Sequence, residues 1–273
     1  PITMGAGQFR AIGRSIAMCY AQPIKERLQQ SIALLNNPSS VAQLGSLYTH
    51  VENASTQDSS VPPIVVIVSS LAGGTGAGLL VDVCDTMRAL EPEWGGNSIA
   101  LLYTPEVFLG LGDGSVGGVQ PNSLAAISEI LNGHYWHGVQ QGNNAQPQLT
   151  EIGLKQPQTL QAAGVVGAIG RSGPAYPFLV GSKNAANVHF KSDKQVFETI
   201  GGALVAWCVD EVVQDQLIAF TMTNWVDKAQ TNMSEHDLLI NRGLPTEQGA
   251  PAFNALGCAR VSVGTRYLER YSS

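Results

Sequence analysis

An apolar, β-branched stretch at residues 61–70 runs directly into Leu71-Ala72-Gly73-Gly74-Thr75-Gly76-Ala77-Gly78, and apolar residues then recur at helical spacing over residues 79–90. No other feature restricts the possible folds as much. A continuous Val/Ile run is the pattern of a strand at the centre of a parallel sheet, and a helix directly after it makes a βα unit. Four glycines fall within six residues, at Gly73, Gly74, Gly76 and Gly78. Glycine reaches positive φ without strain and lets main-chain N–H groups approach a ligand with no Cβ in the way. The helix start adds its unpaired N–H groups and the positive end of its dipole. Together these predict a phosphate cradle; a tight strand-to-helix turn is the alternative. The Lys-Ser/Thr pair of a P-loop is absent, and the spacing is not the dinucleotide Gly-x-Gly-x-x-Gly fingerprint.

The 273 residues suit one large α/β unit or one domain with an appendage, and 44% hydrophobic residues suffice for a sizeable core. Only 13% are charged, so Asn, Gln, Ser and Thr carry much of the surface polarity. A net charge of −6 without a cationic stripe argues against nucleic acid as the main partner. No apolar run reaches the ~18–20 residues of a membrane span, and no signal peptide is visible at the start. Cys19, Cys84, Cys208 and Cys258 are scattered without metal-ligand spacing, which predicts a reduced, cytoplasmic protein. Each sits among apolar or small residues and is expected as a buried thiol.

Along the chain, Ile12, Ile16, Cys19, Tyr20, Ile24, Leu28, Ile32 and Leu35 predict a helix over residues 11–35 that Pro23 should kink or split. Asn36-Asn37-Pro38-Ser39-Ser40 should end it, and residues 53–63 read as polar linker. Strands are expected at 98–103, 176–181 and 254–264, and helices at 121–131 and 193–220. Residues 91–96 read as a turn, 110–118 as an exposed glycine loop and 142–161 as an insertion. The recurring order of strand, loop and helix implies a sheet with crossover helices.

Ala72-Gly73-Gly74-Thr75-Gly76-Ala77-Gly78 closely resembles the signature loop of the tubulin/FtsZ superfamily, Gly-Gly-Gly-Thr-Gly-Ser/Thr-Gly, with Ala72 for the first glycine and Ala77 for the Ser/Thr. The order of other segments supports the resemblance. Gly5-Ala6-Gly7, followed by Gly13-Arg14 and a helix, looks like that family's preceding phosphate loop. Pro121-Asn122-Ser123-Leu124 resembles the Pro-Tyr-Asn-Ser/Ala stretch where the ribose loop enters the next helix, without its Tyr. Gly181-Ser182-Lys183-Asn184 and the helix from Asp193 stand in the place of the base-binding loop and core helix, and residues 253–264 look like a segment of divergent bacterial tubulin-like proteins. The resemblance implies an α/β fold, a three-layer arrangement of a parallel sheet with helices on both faces. It implies that the family's N-terminal strands, about a hundred residues of βα units, belong before Pro1. Residues 1–220 would be a partial nucleotide-binding domain including the core helix, and 221–273 a linker and the start of a second domain.

The resemblance also implies roles. Gly5, Ala6 and Gly7 would present backbone donors to the terminal phosphate, and Gly73, Gly74, Thr75, Gly76, Ala77 and Gly78 would hold the β-phosphate region. Thr75 would add a hydroxyl to phosphate or to a magnesium-bound water. Gln120 or Asn122 would lie near the ribose, Asn184 or Asn187 would read the guanine edge, and Phe190 would stack on the base. Turn roles for the asparagines and core packing for Phe190 are the plainer alternatives. Asn224-Trp225-Val226-Asp227 stands where polymerising members carry the Asn-x-Asp that completes a neighbour's site; it has one residue more and no leading glycine, and a surface turn is the other reading.

The implied ligands are GTP or GDP with Mg2+, and the implied partner is a second copy, joined head to tail into a filament whose assembly drives hydrolysis. A non-hydrolysing scaffold with a degenerate site is the alternative, favoured by Ala72, Ala77 and the loose match at Asn224 and Asp227. An unrelated α/β enzyme holding another phosphorylated ligand ranks third. Asp82 and Asp85 would lie near magnesium or merely serve the dipole of a first helical turn. His134 and His137, at i and i+3 beside Tyr135 and Trp136, have no third ligand nearby and read as an aromatic patch rather than a metal site.

Overall fold

Val66–Ser70 (β1), Ile99–Tyr103 (β2), Tyr176–Val180 (β3) and Asn254–Ala255 (β4) form one parallel sheet in chain order. The computed structural model describes residues 5–48, 63–108, 110, 117–140, 173–183, 189–210, 212–219 and 253–256. The helices are Arg10–Cys19 (α1), Ala21–Leu35 (α2), Pro38–Tyr48 (α3), Gly74–Leu90 (α4), Pro92–Gly96 (α5), Val119–Gln140 (α6) and Asp193–Val209 (α7). A further helix, α8, spans 212–219. The α/β class read from the sequence is the class observed.

Ile99, Ala100, Leu101 and Leu102 of β2 have no exposed surface, so this strand is covered on both faces. Ala100 and Leu102 join Leu71, Leu80, Val81 and Cys84 with Ala126 and Ile130 of α6. Ile99 and Leu101 join Tyr176, Phe178 and Val180 of β3 with Val196 and Ile200 of α7. The alternation follows from strand geometry, and it puts α4 and α6 against one face of β2 and α7 against the other. Burying a side chain such as Leu101 contributes ~1.5–3 kcal/mol, which makes β2 the anchor of the sheet. The strand within the run at 61–70, expected at the centre, is Val66–Ser70 and lies instead at one edge of the sheet among the described residues. Val66 and Val68 stay 39% and 50% exposed. A continuous apolar run marks a strand that can be buried on both faces, but carries no information about which neighbours cover it.

Proline and asparagine punctuate the helical arm. The expected helix over 11–35 divides at Tyr20, because the Pro23 ring would collide with the carbonyl four residues earlier; α2 restarts at Ala21 with Pro23 in its first turn. Asn37-Pro38, read as a stop, also starts α3: the Asn37 Oδ1 accepts the Ser39 amide at 2.9 Å, with Pro38 at the first helical position. At α7, Ser192 caps by accepting the Gln195 amide at 3.3 Å, and the Gln195 Oε1 accepts the Lys191 amide at 2.8 Å. The helix expected to run to residue 220 breaks at Asp210, whose carboxylate accepts the Val213 amide at 3.2 Å and opens α8.

Cys84 is buried, whereas Cys19 and Cys208 are exposed and Cys258 lies outside the described residues. Buried thiols were expected at all of these positions. Small or apolar neighbours in sequence do not decide which flank of a helix faces the core, and that reasoning fails for Cys19 and Cys208. Burial, reinforced by the Asp85 charge, pushes the Cys84 thiol far above its ordinary range. At about pH 8, iodoacetamide should label Cys19 and Cys208 in the native protein and Cys84 only on unfolding. Peptide mass spectrometry reads the order, and co-labelling of Cys84 would refute its burial. No helix among the described residues is long and apolar enough to cross a membrane.

Candidate functional site

The glycine run is half loop and half helix. Ser70 turns the chain out of β1 by accepting the Ala72 amide on its Oγ at 3.0 Å. Gly73 is then the N-cap, extended at φ −84 and ψ 154, and α4 starts at Gly74 rather than at the expected residue 79. Glycine costs ~1 kcal/mol against alanine inside a helix, so packing must favour it here. A Cβ on Gly74 would lie 2.7 Å from the Phe9 nitrogen, on Gly76 2.8 Å from the Ser70 carbonyl oxygen, and on Gly78 2.8 Å from the Arg10 carbonyl oxygen. From the other side, a Cβ on Gly13 would collide with the Gly74 carbonyl. Gly74 and Gly78, one turn apart, let α1 lie directly on α4.

That contact brings the two glycine loops together. Gly5 and Gly7 take left-handed φ values of 77 and 55 on either side of Ala6. The Ala6 amide donates to the Thr75 Oγ1 at 2.9 Å, and the Gly74 amide donates to the Gly7 carbonyl at 2.7 Å. A side chain on Gly5 would also crowd the Thr75 hydroxyl, at 3.2 Å. Thr75 accepts with its oxygen and keeps its hydroxyl proton for another partner. Gly73, Thr75 and Gly76 are half-buried and reachable, whereas Ala6, Gly74, Ala77 and Gly78 are buried. The amides of Thr75 and Gly76 lie in the first turn, where no intrahelical acceptor exists, and Gly73 supplies no capping side chain. A reachable edge with two such amides, one hydroxyl and the positive end of a 17-residue helix suits an oxyanion.

The start of α6 closes the group. The Asn122 Nδ2 donates to the Gln8 carbonyl at 2.8 Å and to the Ala72 carbonyl at 3.0 Å, and the Gln8 Oε1 accepts the Gly118 amide at 2.6 Å. Gln120, two residues earlier in the same turn, is exposed. Gln8 was not foreseen as part of this site, and nothing in its local sequence marks it, because its role rests on Gly118, 110 residues away.

Asp82 and Asp85 lie beyond the first turn of α4, and both face arginines of the protein. With α4 starting at Gly74, no acidic residue falls in its first turn. Asp82, 2% exposed, faces the Arg14 guanidinium at 2.9 Å. Asp85, fully buried, pairs with Arg88 at 3.1 Å and accepts the Gly173 amide at 2.7 Å, tying α4 to the segment before β3. Arg10 donates from Nε to the Ala77 carbonyl at 3.0 Å and pairs with Glu129 of α6. Burial, then the adjacent Arg14 charge, lowers the Arg10 guanidinium pKa below its ordinary value, with Asp82 opposing. Both arginines fasten α1 to its neighbours.

Phe190 is half-buried and packs against the cluster of Tyr176 and Val196, with its amide donating to the Ser182 carbonyl at 2.8 Å. Asn184, Asn187, Asn224 and Asp227 lie outside the described residues, as do the side chains of His134 and His137. Gly5, Ala6, Gly7, Gly73, Gly74, Thr75, Gly76 and Asn122 therefore meet in one place, while Ala77 joins the core beneath it and Gly78 lies against the main chain of α1.

No curated protein and no solved structure matches the chain. A protein-family model described as tubulin-like matches residues 1–273. With that match spanning the whole sequence, and with its two glycine loops in the family's order and meeting at one helix start, the chain belongs to the tubulin-like family.

Proposed function

We propose that the chain binds GTP or GDP by its phosphates at the edge formed by Gly73, Thr75 and Gly76 and the loop at Gly5–Gly7, with Mg2+ accompanying the triphosphate. The observation that carries this reading is the uncapped start of α4, its Thr75 hydroxyl held in place by the Ala6 amide at 2.9 Å. Gln120, exposed beside the cradle, is the candidate for the ribose; Asn184, Asn187 and Phe190 are the candidates for the base. Family membership supports the wider reading of a layered nucleotide-binding domain that assembles head to tail, with Asn224 and Asp227 of one copy completing the site of the next. A non-hydrolysing scaffold is the second reading, favoured by the engagement of the Ala6 amide within the protein.

Calorimetric titration of the full chain with GTP, GDP, GMP and guanosine tests the first reading. Affinity should fall as phosphates are removed. T75A should weaken GTP by about ten- to a hundredfold, the range for a hydrogen bond to a charged group, and T75S should restore it. Guanosine binding as tightly as GTP, or no saturable binding, would overturn it. Phosphate release per molecule that rises with protein concentration would separate assembly-coupled hydrolysis from the scaffold.

A further inference from the structure

We propose that Asn122 is a positioning residue that clamps the two glycine loops to each other and does not itself touch the ligand; its consequence for affinity rests on the nucleotide reading above. The carbonyls it binds are those of Gln8, which follows Gly7, and of Ala72, which precedes Gly73. These segments come from 114 and 50 residues away in the chain, so no local preference fixes their separation. An asparagine amide has two N–H donors on a short stem. Here the Nδ2 donates to two protein carbonyls, so neither donor is left for a ribose, and a side chain only 7% exposed leaves its Oδ1 acceptor little surface for a ribose hydroxyl.

The surroundings make the clamp stiff. The Gln8 Oε1 takes the Gly118 amide at 2.6 Å, and a Cβ on Gly118 would stand 2.8 Å from the Gln8 Cβ, so Gln8 is seated tightly on the helix that carries Asn122. The Ala6–Thr75 and Gly7–Gly74 hydrogen bonds span the same gap. Asn122 thus sets the distance between the amides that would face phosphate. Aspartate has the same shape but, ionised, offers no donor, and would place negative charge against two carbonyl oxygens.

Hydrogen exchange read by mass spectrometry on the full chain without nucleotide, paired with GTP calorimetry, tests this in the parent, N122A and N122D. Peptides covering residues 5–9 and 71–76 should exchange about tenfold faster or more in both variants, while β2 and α7 keep their protection and GTP affinity falls by a similar factor. A pure packing role would leave the isosteric N122D at the parental rate. Unchanged loop exchange in N122D overturns the clamp. Weaker GTP binding with unchanged loops would make Asn122 a ligand contact instead. Faster loop exchange in a protein whose parent binds no GTP supports the clamp and removes the nucleotide reading. Should both variants unfold, NMR of the parent decides. The Asn122 side-chain amide protons should exchange more slowly than those of the exposed Asn36, and equal rates overturn the proposal.

Discussion

Replacing Gly13 with valine should destabilise the protein by at least ~3 kcal/mol, the upper end for overpacking, because the obstacle is the α4 main chain. A Cβ there collides with the Gly74 carbonyl and comes within 3.2 Å of the Thr75 Cα. Backbone cannot rotate aside as a side-chain tip does, so α1 must lift from α4 and carry the Gly5–Gly7 loop with it. G13A should show a smaller loss of the same kind. Gly45 supplies the control. It lies in α3, a Cβ there meets nothing within 4 Å, and G45A should stabilise by ~0.4–1 kcal/mol. Urea midpoints measure all three. If G13V unfolds at the parental midpoint, α1 does not rest on α4 and the cradle is not built as described.

The second large effect concerns Arg14. R14M removes the cation that faces Asp82 at 2.9 Å and leaves a carboxylate that is only 2% exposed without that charge. Breaking a buried pair from one side costs ~3–5 kcal/mol. Arg14 is itself 22% exposed, which moves the expectation toward the lower figure. Arg10 also feels the Asp82 charge and compensates in part. The double variant R14M/D82L removes both charges and should recover most of the loss, since well-packed apolar pairs often match buried ion pairs. A double variant no better than R14M would mean that the cost was packing rather than charge.

The sequence and the tertiary structure divide the account at identifiable residues. Strand β2 and the start of helix α7 at Asp193 were legible because an apolar run or a helical spacing begins there beside clear turn signals, whereas the end of α7 at Val209 was not. The Gly5–Gly7 and Gly73–Gly78 segments were legible as a pair through the order of their motifs. What could not be read was the use of each glycine. Gly73 caps, Gly76 clears the end of β1, and Gly74 and Gly78 receive α1. Those assignments need the position of Phe9, Arg10 and Gly13, which no local pattern fixes. The same holds for Asp82 and Asp85, whose partners Arg14 and Gly173 come from other segments.

Composition, periodicity and the glycine signature were enough to establish an α/β chain with a tubulin-like motif order, because hydrophobic spacing and special φ requirements are local properties of a chain. Whether an amide faces a ligand or a neighbouring loop depends on atoms dozens of residues distant brought within ~3 Å. Only the packed structure could therefore decide that the Ala6 amide meets Thr75, that α4 begins at Gly74, and that Asn122 joins the two loops.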